Sequence, residues 1–331
     1  MTEFALLIKS YSQDFEYAKR LMDSVNTHNK DSLPVFLVVP ASDVSTFQAM
    51  AGAHAEVLSE ELFSSHLVHE ETAGFGPGYI NQEIVKLSFW ELRLCDNYLC
   101  VDSDAVFIRD FTRADFMARS GVPFTFLTED HELHVEPGYY GDTWINRMKS
   151  LEKIRHEIGY QGRWPLTVHG HAVFSATVLE SFVNDFLEPR GWDYKEALAI
   201  SPYEPTWYNT WLLHTGIIEI VPREPNIKTF HNSTQHLDYV LREVTTEDLA
   251  RGYVAVVVNS NYSRGDGVLS LTTSPTHLLA SYISFSDLFR TLGRRFKQRV
   301  MVEKRPLRSM RVWVGAQLLK VPVLRNFVQG S

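Results

Sequence analysis

Two aspartates, Asp102 and Asp104, follow the apolar run YLCV and are separated only by Ser103. Carboxylates at that spacing, released from β pairing by a turn, can converge on one hard cation. Mg2+ and Mn2+ prefer such oxygen ligands and accept substrate phosphates to complete their shell. A solvated turn between two strands draws on the same residue types. Placement favours the metal reading, because the pair lies between YLCV and AVFIRDF. Open α/β sheets bind ligands at just such a carboxyl strand end.

A second group of chemically able residues lies in SPYEPTWYNTWLL, residues 201–213. Aromatic rings such as Tyr208 pack against the C–H faces of sugars, and Glu204 and Asn209 can bond hydroxyls. Glu204 is a candidate general base for a substrate hydroxyl, although a carboxylate at a helix start also serves the helix dipole. In VHGHAVFSATVLESF, residues 168–182, Gly170 permits close backbone approach and His171 can bond a hydroxyl. A turn before a core strand explains that pair equally well. His131 and His134 find no third partner at a metal-binding spacing.

These residues need a scaffold, and the first hundred positions supply an alternating one. FALLIK (4–9) and VFLVV (35–39) read as buried strands, the second bracketed by Pro34 and Pro40. Between them Ser12 can cap a helix whose apolar face is Phe15, Ala18, Met22 and Val25. A helix over 44–51 and a strand over 55–58 follow. GFGPG (74–78) is a loop, after which Ile80, Ile84, Leu87 and Leu94 line a long helix. Residues 98–108 read as a strand, a polar break and a second short strand. The pattern predicts a doubly wound α/β fold, a mostly parallel sheet flanked by helices. Further on, helices are expected over 143–158, 177–187 and 203–213, and strands over 217–221, 227–230 and 254–258. One catalytic domain over 1–260 with a basic helical appendage over 261–331 is the expected organisation.

QEIVKLSFWEL followed by NYLCVDSDAVFIRDF resembles the glycosyltransferases of the GT-A fold, in particular bacterial ones related to glycan assembly. The resemblance covers roughly residues 1–240 and is most specific over 79–111. It implies a Rossmann-like half that binds a nucleotide-sugar, with uridine the usual base, and a glycan or lipid-linked glycan acceptor. It also implies Mn2+ or Mg2+ held by the D-x-D against the donor diphosphate. By position, Asp102 would contact the donor ribose and the metal, Ser103 would share the donor turn, and Asp104 would ligate the metal. Lys9, Ser10 and Tyr11 match the segment that holds the nucleobase, and Lys86 lies on the helix that reaches the donor. His231 stands where a late histidine completes the metal shell. Gly170, His171, Tyr208 and Asn209 fall on the sugar side.

Composition bounds the alternatives. With 44% apolar and 22% charged residues the chain is an ordinary globular protein. Two cysteines, Cys95 and Cys100, exclude a disulfide scaffold. Without a basic n-region or a spanning apolar run, a cytoplasmic location is expected, peripheral on the membrane if the tail docks there. The net charge of -8 divides unevenly: residues 285–331 carry +9 and the preceding 284 carry -17. An acidic body argues against nucleic-acid binding and means an anionic substrate needs a bound cation. In the tail, Phe285, Leu288, Phe289, Leu292 and Phe296 recur at helical spacing among arginines. Such a helix fits an anionic membrane surface, and it fits equally a hairpin packed on the acidic body. Two rival functions remain. VDSDAVF also satisfies the first motif of haloacid-dehalogenase-like phosphatases, with Asp102 as nucleophile, though that motif normally opens its domain. A glycan-binding module without catalysis is the other.

Overall fold

The computed structural model describes residues 2–52, 54–127, 139–162, 171–230 and 244–260, with 236, 239 and 242. It is a mixed α/β structure built on a mostly parallel sheet flanked by helices. The chain separates into two compact units, Met1–Asn226 and Ile227–Ser331.

In the first unit β1 (Thr2–Lys9) leads through a short turn into α1 (Phe15–His28). Then come β2 (Val35–Val39), α2 (Val44–Gln48) and β3 (Ala55–Ser59). After the glycine-rich loop, α3 (Pro77–Ser88) leads to β4 (Cys95–Asp102) and β5 (Ala105–Phe107). Two short strands, β6 (Met117–Arg119) and β7 (Val122–Phe126), precede α4 (Tyr139–Ile158). The unit continues through β8 (Val173–Ser175), α5 (Ala176–Ser181), α6 (Tyr194–Ile200), α7 (Glu204–Thr215) and β9 (Val221–Arg223).

The principal sheet has the order β3-β2-β1-β4-β8. The first four strands are parallel and β8 is antiparallel to β4. Residues Phe4 to Ile8 of β1 and all of β2 are apolar and buried because both faces of a parallel sheet are covered. Ala5, Leu7, Phe36, Val38, Tyr98 and Cys100 belong to one core with Ile80, Ile84 and Leu87 of α3. The alternate residues of β1 must face the other way, where Phe4 stacks on Phe116 at 5.5 Å.

Two expectations are corrected. The strand expected over 217–221 forms instead at Val221–Arg223, where β9 pairs in parallel with β7. Ile217 stays 42% exposed, so its apolar run carried no pairing information. The helix expected to 187 is α-helical only to Ser181 and continues as a π-helical stretch, Phe182–Leu187. In the second unit β10 (Ile227–Phe230) pairs in parallel with β11 (Ala255–Val258), and α8 (Thr246–Ala250) starts from a capping box on Thr245.

Candidate functional site

β1 and β4 are adjacent and parallel, and Lys9 pairs with Asp102 at their carboxyl ends. From β1 the chain steps to β2 on one side, whereas β4 lies on the other. This change of direction opens a crevice beyond the strand ends. The residues after β1, Ser10 and Tyr11, and those after β4, Ser103 and Asp104, therefore share one edge of the sheet. Ser103 and Ser10 are buried, and Asp104 is half-buried.

α3 packs against the face of this sheet and reaches the same edge through Lys86. Its Ile80, Ile84 and Leu87 enter the core, while Tyr79, Gln82, Glu83 and Lys86 recur at three- and four-residue steps along a neighbouring face. The side chain of Lys86 is only 6% exposed, yet its Nζ lies 3.0 Å from Glu204 Oε1, 3.2 Å from Glu83 Oε2 and 3.3 Å from Asp102 Oδ1. A buried ammonium is tolerable only because carboxylates surround it. Burial would depress the Lys86 pKa, but Asp102, Glu204 and Glu83 together hold it well above the usual lysine range.

The three carboxyls are not equivalent. Burial, and then the charge of Glu204, push Glu83 well above the usual glutamate range, favouring its protonated form hydrogen-bonded to Glu204. Asp102 goes the other way. Burial pushes it up, but the Lys86 ammonium outweighs this and holds it below the usual aspartate value. Its side chain remains about a third exposed. Gln82 Nε2 donates to the same Oδ1 at 3.4 Å, so the contacts of Asp102 among the described residues fall on one oxygen.

His171, just before β8, completes this neighbourhood. Burial pushes its pKa down despite the opposing charge of Asp102, which favours a neutral ring. Its Nε2 is buried without a hydrogen-bond partner among the described residues, as is Ser10 Oγ. Buried polar atoms of this kind are exceptional and suit a ligand.

Other expected site residues stand elsewhere. Lys9 pairs with Glu60 at 2.9 Å and donates to the Ser10 carbonyl at 3.1 Å. Glu204, expected as a base, is 5% exposed and committed to Lys86. Tyr208 offers no face to a sugar: it is 2% exposed, packs on Phe174 at 4.7 Å and accepts the Ser175 amide through its hydroxyl. Asn209 is likewise buried. Gly170 and His231 lie outside the described residues. Glu83 and Gln82 were missed from sequence, although their three- and four-residue spacing to Lys86 on one helix was a readable signal.

No group of three His, Cys, Asp or Glu side chains is placed to hold a metal among the described residues. The donors present, Asp102 and Asp104, fit a hard cation that draws its remaining ligands from a substrate. One ammonium set against Asp102, Glu204 and Asp104 also leaves the site short of positive charge for a diphosphate.

The sequence matches a family of unknown function, DUF6492, over residues 5–161. No curated protein matches it. Among solved structures, the apo form of mouse xyloside xylosyltransferase 1 is similar at 11% identity and a TM-score of 0.45. That similarity covers 78% of this chain and 99% of that one. The apo structure of the bifunctional glycosyltransferase WbbM is similar at 12% identity and a TM-score of 0.46, covering 77% of this chain and 45% of that one.

Proposed function

We propose that this chain is a glycosyltransferase that moves a sugar from a nucleotide-diphosphate donor, a uridine one foremost, to a glycan or lipid-linked glycan hydroxyl. The observation that carries the reading is Asp102 and Asp104 at the carboxyl end of β4, beside the end of β1, with Asp102 anchored on buried Lys86. In the transfer, the bond from the anomeric carbon to the diphosphate breaks, a bond to the acceptor oxygen forms, and the hydroxyl proton is released. Mn2+ or Mg2+ bound there would supply Lewis-acid stabilisation of the departing diphosphate. Lys86 and Gln82 orient the Asp102 carboxylate, and Glu83 and Glu204 hold Lys86 in place. Glu204 thus serves as a positioning residue. Ser10, with its unpartnered hydroxyl, contacts the nucleoside together with Tyr11, and neutral His171 bonds a donor hydroxyl or phosphate oxygen.

Calorimetry with UDP, with and without Mn2+, tests the reading. Binding should require the metal, and Asp104→Ala should abolish the metal-dependent part while leaving thermal unfolding unchanged. Undiminished Mn2+-dependent binding in that variant would sink the assignment of the metal to this turn.

A further inference from the structure

The turn before α3 presents an aromatic surface that the proposed roles leave unused. Ala73 (φ 54°) and Gly74 (φ 81°) both adopt left-handed backbone. Thr72 and Phe75 exchange backbone hydrogen bonds of 2.9 and 3.0 Å across them. Such a tight turn needs positive φ at both central positions, and it fixes Phe75 in place. The Phe75 ring stacks on Tyr79, with centroids 4.8 Å apart and planes inclined by 24°. Gly74, Gly76 and Gly78 put no side chain around this pair, and open space lies where each Cβ would stand. Tyr79 is 38% exposed, one of three large apolar side chains exposed among the described residues. Its hydroxyl donates to the Pro202 carbonyl at 3.4 Å, two residues before Glu204.

Tyr79 precedes Glu83 by four positions and Lys86 by seven, so it shares their side of α3. Seven residues of helix rise about 10 Å, which sets the aromatic pair beside the Asp102 turn rather than on it. The Pro202 carbonyl that accepts the Tyr79 hydroxyl leads directly into Glu204, so the phenol tip lies next to the segment that carries the ionic cluster. An exposed aromatic ring with a hydrogen-bonded phenol tip, set among glycines that leave open space, suits a ligand with C–H faces and hydroxyl edges.

Resting on the transferase reading, we propose that Phe75 and Tyr79 form a sugar-stacking subsite in which a pyranose ring of the acceptor lies on Tyr79 next to the Lys86 cluster. Aromatic faces supply apolar area at little entropic cost, and the tyrosine keeps a polar tip. A nucleobase stacks on aromatics too, but the nucleoside is expected at Ser10 and Tyr11, after β1.

The full chain and its Phe75→Ala, Tyr79→Ala and Tyr79→Phe variants, matched by thermal unfolding, decide the matter. The probes are lactose, cellobiose, maltose and N,N′-diacetylchitobiose by saturation-transfer NMR, and UDP with Mn2+ by calorimetry. The unsubstituted protein and Tyr79→Phe should bind at least one disaccharide. Each alanine variant should weaken that binding roughly tenfold while UDP affinity stays within about twofold, a control for an intact donor side. Unchanged disaccharide binding in both alanine variants overturns the subsite, as does a wild-type protein that binds none of the four sugars. A parallel fall in UDP affinity overturns it as well and gives the ring to the nucleobase. Tyr79-dependent sugar binding in a protein that binds no UDP supports the subsite and removes the transferase reading.

Discussion

Glu83 and Glu204 touch the same ammonium, yet their substitution should give opposite results. Glu204 offsets the Lys86 charge, and Glu204→Gln leaves that ammonium with less compensation in a buried setting. A loss of about 3 kcal/mol is the expected scale for breaking such a pair. Glu83 has a folded pKa raised well above its ordinary value. Its contribution is therefore fully present below about pH 4.3 and is lost as pH rises toward the folded pKa. Glu83→Gln keeps the hydrogen bond without the ionisation, so it should match the unsubstituted protein at low pH and exceed it as pH rises. Urea midpoints measured across pH 4 to 9 check both claims. Equal destabilisation by the two substitutions at neutral pH would show that the proton is not on Glu83.

The element-scale counterpart is His66, which ties three segments together. Its Nδ1 lies 3.0 Å from Asp193, the N-cap of α6, and its Nε2 2.9 Å from Glu91, just after α3. Tyr194 adds a hydrogen bond to Glu91 at 2.6 Å. Hydrogen bonds donated by the ring to the Asp193 and Glu91 carboxylates raise the His66 pKa to about 10. Because the folded value exceeds the unfolded one, about 6.5, this staple is fully present below pH 6.5 and fades as pH rises through 10. Melting temperature should fall across that window, and His66→Ala should lower stability near neutrality while flattening the decline. An unchanged alkaline slope in that variant would place the titrating group elsewhere. α7 shows the same dependence on neighbours. Its Tyr208 hydroxyl accepts the amide of Ser175, the last residue of β8, while Glu204 of the same helix holds Lys86.

For the whole molecule, charge distribution makes a separate prediction. No helix among the described residues is long and apolar enough to cross a membrane. The basic segment 285–331 lies outside the described residues, so its docking role rests on charge and spacing alone. Each Lys or Arg near an anionic surface adds about 1 kcal/mol, and salt screens it. The full chain should co-sediment with phosphatidylserine vesicles at low ionic strength and lose them as salt rises. Charge reversal at Arg294, Arg295 and Arg299 should weaken that binding. Equal recovery on neutral vesicles would show that the tail does not read charge.

The alternation of strand and helix up to Ile108 was legible because local periodicity governs buried strands and amphipathic helices. The Asp102–Asp104 pair was legible for the same reason, as a polar break at a strand end. Tyr208 was misread because residue type is identical for a ring that stacks on a sugar and one that fills a core. The convergence of Lys86 with Glu204, 118 positions apart, left no trace in either segment. Helical spacing could nominate Gln82, Glu83 and Lys86 as a set, but not the partner that neutralises them. Sequence determined the alternating strands and helices of a mostly parallel sheet and the pair of carboxylates at a strand end. Only tertiary structure decided which carboxyl keeps its proton, because that depends on burial and on charges brought together from distant parts of the chain.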